Sequence, residues 1–150
     1  MTESEKPVQV LIADSQFLIT ESLKVILQND RRFYVSDVVM EKGELTKALT
    51  LEKVSILIID PSFIELASFA ELKEIKNSFP NLQILVITNG LSKRELHELN
   101  NIGIINIILK TAGKEEILEA LTATLKGRKY YSNELLDLLF ELNKKKKTGE

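Results

Sequence analysis

Polar residues follow four of the apolar runs in this sequence, and their types suit the chemistry of phosphoryl groups and metal ions. The residues that directly follow these runs are Asp14, Asp60, Thr88 and Lys110. A carboxylate can attack phosphorus or bind a hard divalent cation, and a lysine ammonium can stabilise the negative charge of a phosphoryl group. If the runs are neighbouring parallel strands, their carboxyl ends meet at one edge of a sheet, where open sheets bind ligands.

The elements that must position these residues alternate along the chain between short β-branched runs and longer segments of helical periodicity. The five runs are Val8–Ala13, Phe33–Met40, Val54–Ile59, Leu82–Ile87 and Gly103–Leu109. Apolar residues at helical spacing follow each run, in stripes that begin near Phe17, Leu45, Leu66, Leu91 and Leu118. This order predicts an α/β doubly wound fold with a five-stranded parallel sheet. The strand order 2-1-3-4-5 would make strands one, three and four neighbours and bring the four polar residues into one cleft.

The composition is typical of one ordinary domain, and it favours a reducing, cytoplasmic location. The 150 residues include 44% apolar and 28% charged side chains and no cysteine, which excludes disulfides, thiolate metal sites and thiol nucleophiles. No apolar run approaches the roughly 20 residues that a membrane span needs, so we expect no membrane insertion. Residues 1–125 carry a net charge of −5 and residues 126–150 a net charge of +3. The acidic body argues against nucleic-acid binding by this domain itself.

Residues 8–126 resemble the receiver domains of two-component response regulators, which have a flavodoxin-like (CheY-like) fold. The motifs that carry the resemblance are VLIADSQ, ILIIDPS, ILVITNG and IILKTAG, in this order. The resemblance implies that Asp60 accepts the phosphoryl group, that Thr88 moves toward it, and that Lys110 stabilises it. It also implies a Mg²⁺ ion held by Asp14, Asp60 and the backbone carbonyl of Ser62. The implied role is signalling and not enzymatic turnover.

The sequence departs from the family pattern at several positions near these residues. Ser15 replaces the second acid that usually follows the first strand, so we expect weaker Mg²⁺ binding. Asn89 follows Thr88 where a small residue is usual, and the loop after Asp60 carries Phe63-Ile64 in place of Met-Pro. Ile107 occupies the position of the family's aromatic switch, which predicts that the usual rotamer switch is absent.

The last 24 residues form a different kind of segment. We place a receiver domain at residues 7–126 and a linker helix with a basic tail at 127–150, the tail including Lys144–Lys147. Ser132 can cap the helix. The segment resembles the one that joins receivers to the helix-turn-helix of LuxR-type regulators. The expected partners are a sensor histidine kinase or phosphotransfer protein, a second copy in a homodimer, and DNA only through an output domain outside this chain.

Other functions stay open at this point. The main alternative is a degenerate receiver that acts as a phosphorylation-independent dimerisation or partner-binding module. Leu91, Leu96 and Leu99 with the apolar positions of strand five, or the leucines of the last helix, would supply its surface. A dehalogenase-type phosphatase would need a general acid where Ser62 stands. A flavin binder would need Ser, Thr and Gly after the first strand, and the single histidine, His97, is expected to be solvated.

Overall fold

The structure, a computed structural model, describes residues 6–148, with the side chains of the last helix described as far as Glu141. Six strands and six helices alternate along the described chain. The strands are β1 (Val8–Ala13), β2 (Phe33–Val39), β3 (Ile56–Ile59), β4 (Gln83–Thr88), β5 (Asn106–Leu109) and β6 (Tyr130–Tyr131). The helices are α1 (Phe17–Gln28), α2 (Lys42–Leu51), α3 (Ala70–Ser78), α4 (Lys93–Asn101), α5 (Lys114–Leu125) and α6 (Asn133–Thr148).

All strand pairings are parallel, and the strand order is β2-β1-β3-β4-β5-β6. The predicted doubly wound fold and the order of its first five strands are confirmed. The predicted number of strands is corrected from five to six, because Tyr130 and Tyr131 pair with Asn106 and Ile107 at the β5 edge. A strand of two residues carries no periodicity, so no sequence pattern indicates β6.

The sheet separates two apolar layers. On one face, Ile56 and Ile58 of β3 pack in a layer with Leu23 of α1 and Leu121 of α5. On the other face, Leu57 of β3 belongs to a layer built by helices α2, α3, α4 and α6. Because both faces are covered, the central strands read as continuous apolar runs.

The loop between β3 and α3 is longer than the sequence predicted. The apolar stripe from Leu66 predicted a helix over this region, but α3 begins only at Ala70. The residues before it form turns in which Leu66 N donates to Pro61 O, and Glu65 adopts a left-handed conformation with φ of 58°. Between Leu66 and α3, Ala67 N donates to the Glu71 carboxylate and Ala70 N donates to Ser68 Oγ. These side-chain hydrogen bonds hold the segment in a non-helical conformation, so the helix begins only at Ala70.

Helix α4 buries two of the leucines that the dimerisation alternative placed on a binding surface. Leu96 and Leu99 are fully buried in the core layer, so that surface is corrected to core packing. Ser92 begins the helix with a capping box, in which its hydroxyl accepts from Glu95 N and Glu95 Oε1 accepts from Ser92 N. The helix therefore presents mainly polar residues to solvent.

The C-terminal segment packs on the sheet edge. Gly127, with φ of 69°, ends the turn after α5, and the chain then forms β6 and α6. Tyr131 and Leu135 are buried in the same core layer as α4. The predicted side-chain cap at Ser132 is wrong, because its hydroxyl donates to Glu116 Oε2 and accepts from Leu109 N. The Ser132 carbonyl instead accepts hydrogen bonds from the first turn of α6.

Candidate functional site

The four polar residues predicted from the strand ends lie at one edge of the sheet. Register places them there: Ala13 pairs with Ile59, so Asp14 and Asp60 follow adjacent strand ends, and Thr88 pairs with Leu109, directly before Lys110. Asp14, Asp60 and Thr88 are buried. The prediction that neighbouring strands bring these residues into one cleft therefore agrees with the geometry.

Asp14 and Asp60 use their two carboxylate oxygens in the same way. Oδ1 of Asp14 accepts from Gln16 N at 2.8 Å, and Oδ1 of Asp60 accepts from Ser62 N at 2.9 Å. Each bond joins a carboxylate to the amide two residues later and fixes the turn that follows the strand. The Oδ2 atoms of both carboxylates are left facing the cleft.

Lys110 lies between the two Oδ2 atoms. Its Nζ is 2.6 Å from Asp60 Oδ2 and 2.7 Å from Asp14 Oδ2, and only 3% of its side chain is exposed. Asp14 Oδ2 is buried and accepts no hydrogen bond from the described residues, so it interacts with the ammonium as an ion pair. A buried charge is stable only when it is paired, so one ammonium serves two carboxylates here.

Two further residues contact Lys110 that the sequence did not assign to the site. Gln16 Oε1 accepts a hydrogen bond from Lys110 Nζ at 2.6 Å, and the centroid of the Phe63 ring lies 4.1 Å from the same atom. In the sequence, Phe63 stands out only as a departure from the family pattern in the loop after Asp60. Gln16 gave no signal, because its partner lies 94 positions away in the sequence.

Thr88 ends β4 with its hydroxyl bound to its own loop. Thr88 Oγ1 donates to Gly90 O at 2.9 Å and lies 3.1 Å from Gly90 N, which donates back to it. The hydroxyl therefore acts as both a hydrogen-bond donor and an acceptor within the turn. Any movement of Thr88 toward Asp60 must first break these two bonds.

The donor set offered to a Mg²⁺ ion consists of Asp14, Asp60 and the Ser62 carbonyl. Two carboxylates with water molecules can hold Mg²⁺, which is small and prefers octahedral oxygen ligands. Here the Oδ2 atoms already contact an ammonium, and Ser62 O accepts from Glu65 N at 3.3 Å. In the described part of the chain, no group of three or more His, Cys, Asp or Glu side chains could hold a metal ion. In this arrangement the charge of the two carboxylates is offset by Lys110.

The position expected for an aromatic switch, Ile107, is buried and paired with Tyr131 of β6. The Tyr131 hydroxyl lies 3.0 Å from Ile104 O and 3.1 Å from Asn100 Oδ1, where α4 ends. Burial raises the pKa of the Tyr131 phenol. An aromatic ring therefore lies beside β5 although β5 supplies none, and it comes from the C-terminal segment.

Comparison with known proteins decides the family. The model of the response regulator receiver domain matches residues 10–122, three quarters of the chain. The chain belongs to the response regulator receiver domain family. The resemblance seen in the four sequence motifs is thereby confirmed.

Curated relatives of this receiver domain are longer response regulators. It is 25% identical over 138 residues to the nitrate/nitrite response regulator protein NarP of Escherichia coli (strain K12), covering 90% of this chain and 63% of NarP. It is 23% identical to the response regulator protein VraR of Staphylococcus epidermidis, covering 86% of this chain and 62% of VraR. The chain thus spans less than two thirds of the curated relatives it matches.

Solved structures of RcsB share the fold of this receiver domain. The isolated receiver of RcsB from Salmonella enterica serovar Typhimurium, studied with the phosphomimetic BeF₃⁻, aligns with a TM-score of 0.81 and 25% identity. That alignment covers 89% of this chain and 99% of the RcsB domain. An RcsB–DNA complex aligns with a TM-score of 0.83 over 92% of this chain.

None of the described helices is both long enough and apolar enough to span a bilayer.

Proposed function

We propose that this receiver domain accepts a phosphoryl group on Asp60 and belongs to a LuxR-type transcriptional regulator. The observation that carries the proposal is the contact of 2.6 Å between Lys110 Nζ and Asp60 Oδ2 in the buried cleft. The donor would be a phosphohistidine of a sensor histidine kinase or phosphotransfer protein. An Asp60 oxygen attacks phosphorus, the P–N bond breaks, and the imidazole nitrogen keeps the electron pair and takes up a proton.

The surrounding residues would support this transfer electrostatically. Asp60 has one oxygen held by Ser62 N, so the carboxylate is oriented and its Oδ2 side faces the cleft. An incoming phosphoryl group adds negative charge beside Asp14, and Lys110 offsets that charge as a fixed cation. Mg²⁺, which the family resemblance implies, would be bound weakly by Asp14, Asp60 and the Ser62 carbonyl, in competition with Lys110.

The signal would leave the site through β5 and the C-terminal segment. Thr88 would exchange its bonds to Gly90 for a phosphoryl oxygen, which changes the loop that begins α4. Asn100 at the end of α4 and Leu109 before Lys110 both contact the C-terminal segment, at Tyr131 and Ser132. A shift of α4 or β5 would therefore alter this segment and any contact that it makes with a second copy or an output domain. DNA binding, in the cytoplasm, would belong to that output domain.

The test is phosphorylation by acetyl phosphate, followed by intact mass and by amide chemical shifts with beryllofluoride and Mg²⁺. We expect one phosphoryl group on the wild type and shifts at Asp60, Thr88, Lys110 and along α4. Asp60→Asn should abolish both, and Asp37→Asn, at an exposed aspartate in β2, should change neither. No phosphorylation of the wild type would contradict the proposal and favour a phosphorylation-independent partner-binding module.

A further inference from the structure

Three oxygen atoms surround the ammonium of Lys110. The oxygens are Asp60 Oδ2 and Gln16 Oε1, both at 2.6 Å, and Asp14 Oδ2 at 2.7 Å. Gln16 Oε1 accepts a hydrogen bond from the ammonium, and the two carboxylate oxygens form ion pairs with it. Because each Oδ1 atom accepts a backbone hydrogen bond, the same two Oδ2 atoms are the carboxylate oxygens most open to a divalent cation. Lys110 thus occupies the position of the site's cation.

Gln16 holds the ammonium in place from the start of α1. It is the residue that begins this helix, yet its side chain makes no capping hydrogen bond to the helix backbone. The side chain instead reaches Lys110, and the backbone N–H of Gln16 donates to Asp14 Oδ1. One residue therefore orients both the ammonium and one of its two carboxylates.

Phe63 contacts the ammonium with its ring. The half-buried ring belongs to the loop after Asp60, and its centroid lies 4.1 Å from Lys110 Nζ. A cation over an aromatic face is attracted to the ring, and the attraction is stronger where water is excluded. Because the Lys110 side chain is almost fully buried, Phe63 both attracts the charge and keeps water from it.

We propose that Gln16 and Phe63 are positioning residues that hold the Lys110 ammonium between Asp14 and Asp60 as the resident counterion of the site. A divalent cation can bind the two Oδ2 atoms only by displacing an ammonium that is held by two additional contacts. Ser15 supplies no further carboxylate that would favour the exchange. The consequence for signalling rests on the proposed function: phosphoryl acceptance at Asp60 would depend only weakly on Mg²⁺.

Binding of Mn²⁺ to the unphosphorylated full chain tests the positioning roles directly. The measurement is paramagnetic broadening of the amide resonances of residues 14 and 60 during a Mn²⁺ titration. Gln16→Leu and Phe63→Leu should each bind Mn²⁺ roughly tenfold more tightly than the wild type, because each removes a contact to a charged group. Gln28→Leu, the same change at an exposed position of α1, should bind like the wild type. Equal affinity in the wild type and both site variants would overturn the proposal.

A second measurement separates positioning from a general effect on folding. In the wild type, the ammonium protons of Lys110 should exchange slowly enough to be seen by NMR, and Gln16→Leu should lose them. If Gln16→Leu does not fold, Gln16→Asn provides the test, because its shorter amide keeps polarity but cannot span the distance to Nζ. Fast exchange of the Lys110 ammonium protons in the folded wild type would contradict a held counterion.

Phosphorylation by acetyl phosphate, with and without a chelator, tests the consequence. The wild-type rate should change less than about threefold on adding Mg²⁺, and the Gln16→Leu rate should rise roughly tenfold, the factor expected from its tighter cation binding. A wild-type rate that requires Mg²⁺ would overturn the inference. If no variant is phosphorylated under any condition, the proposed function fails, and the Mn²⁺ titration still decides the roles of Gln16 and Phe63.

Discussion

The hydroxyl of Tyr131 donates to the carbonyl oxygen of Ile104, 3.0 Å away, and so joins the C-terminal segment to the chain just before β5. Tyr131 is buried beside Ile107, on a strand that only two residues form. The same hydroxyl lies near Asn100 at the end of α4. This one side chain therefore connects α4, β5 and the C-terminal segment, the three parts that the proposed signal involves.

Removing this hydroxyl should destabilise the domain measurably. Tyr131→Phe leaves the ring in place but leaves the Ile104 carbonyl without its donor, which costs about 1–2 kcal/mol. Urea denaturation followed by circular dichroism measures the change. Tyr34→Phe, at an exposed tyrosine in β2, should change the free energy of unfolding little. Equal stability of Tyr131→Phe and the wild type would show that the hydrogen bond contributes nothing.

Alkaline pH should weaken the folded domain through the same residue. Burial raises the pKa of Tyr131 above its ordinary value of 10.0, so the unfolded chain ionises this phenol first. The stabilisation is complete below pH 10 and is lost as pH rises through the folded pKa. Burial and nearby glutamates also raise the pKa of Tyr130, which titrates in the same range. Unfolding free energies at pH 9 and pH 11 should therefore fall more for the wild type than for Tyr131→Phe.

Glycine at position 65 should stabilise the loop that follows Asp60. Glu65 has φ of 58°, a left-handed conformation that costs a residue with a Cβ about 1–2 kcal/mol. Glycine adopts it freely but loses more entropy on folding, so Glu65→Gly should raise the free energy of unfolding by about 0.5–1 kcal/mol. Glu65→Ala removes the charge and keeps the Cβ, and its stability should stay near that of the wild type. A gain in Glu65→Ala as large as in Glu65→Gly would assign the effect to charge.

A carboxylate at position 15 should strengthen divalent-cation binding. Ser15 directly follows Asp14 and is exposed. Ser15→Asp adds an acid next in sequence to Asp14, and the Mg²⁺ concentration needed for half-maximal beryllofluoride binding should fall roughly tenfold. Ser22→Asp, an exposed position in α1, should leave that concentration unchanged. An unchanged midpoint in Ser15→Asp would mean that the missing acid does not limit cation binding.

The sequence predicted those site residues whose positions follow from the order of the strands. Asp60 and Lys110 could be assigned to one cleft, because parallel strands bring their carboxyl ends together and apolar runs mark those strands. Gln16 could not be assigned, because a contact between side chains 94 positions apart has no local signature. The start of α3 could not be predicted for a related reason: periodicity shows which residues are apolar, whereas the hydrogen bonds of Ser68 and Glu71 to the backbone before the helix are not part of that pattern.

The pairing of β5 with β6 sets a limit on where this receiver can be joined to an output domain. The family model ends at residue 122, before Tyr131 and Leu135 enter the core. A chimera joined at that boundary would leave β5 as an open sheet edge and remove apolar cover from α4, which invites aggregation. A working fusion to an output domain would have to keep this receiver's own chain through α6 and place the junction beyond it.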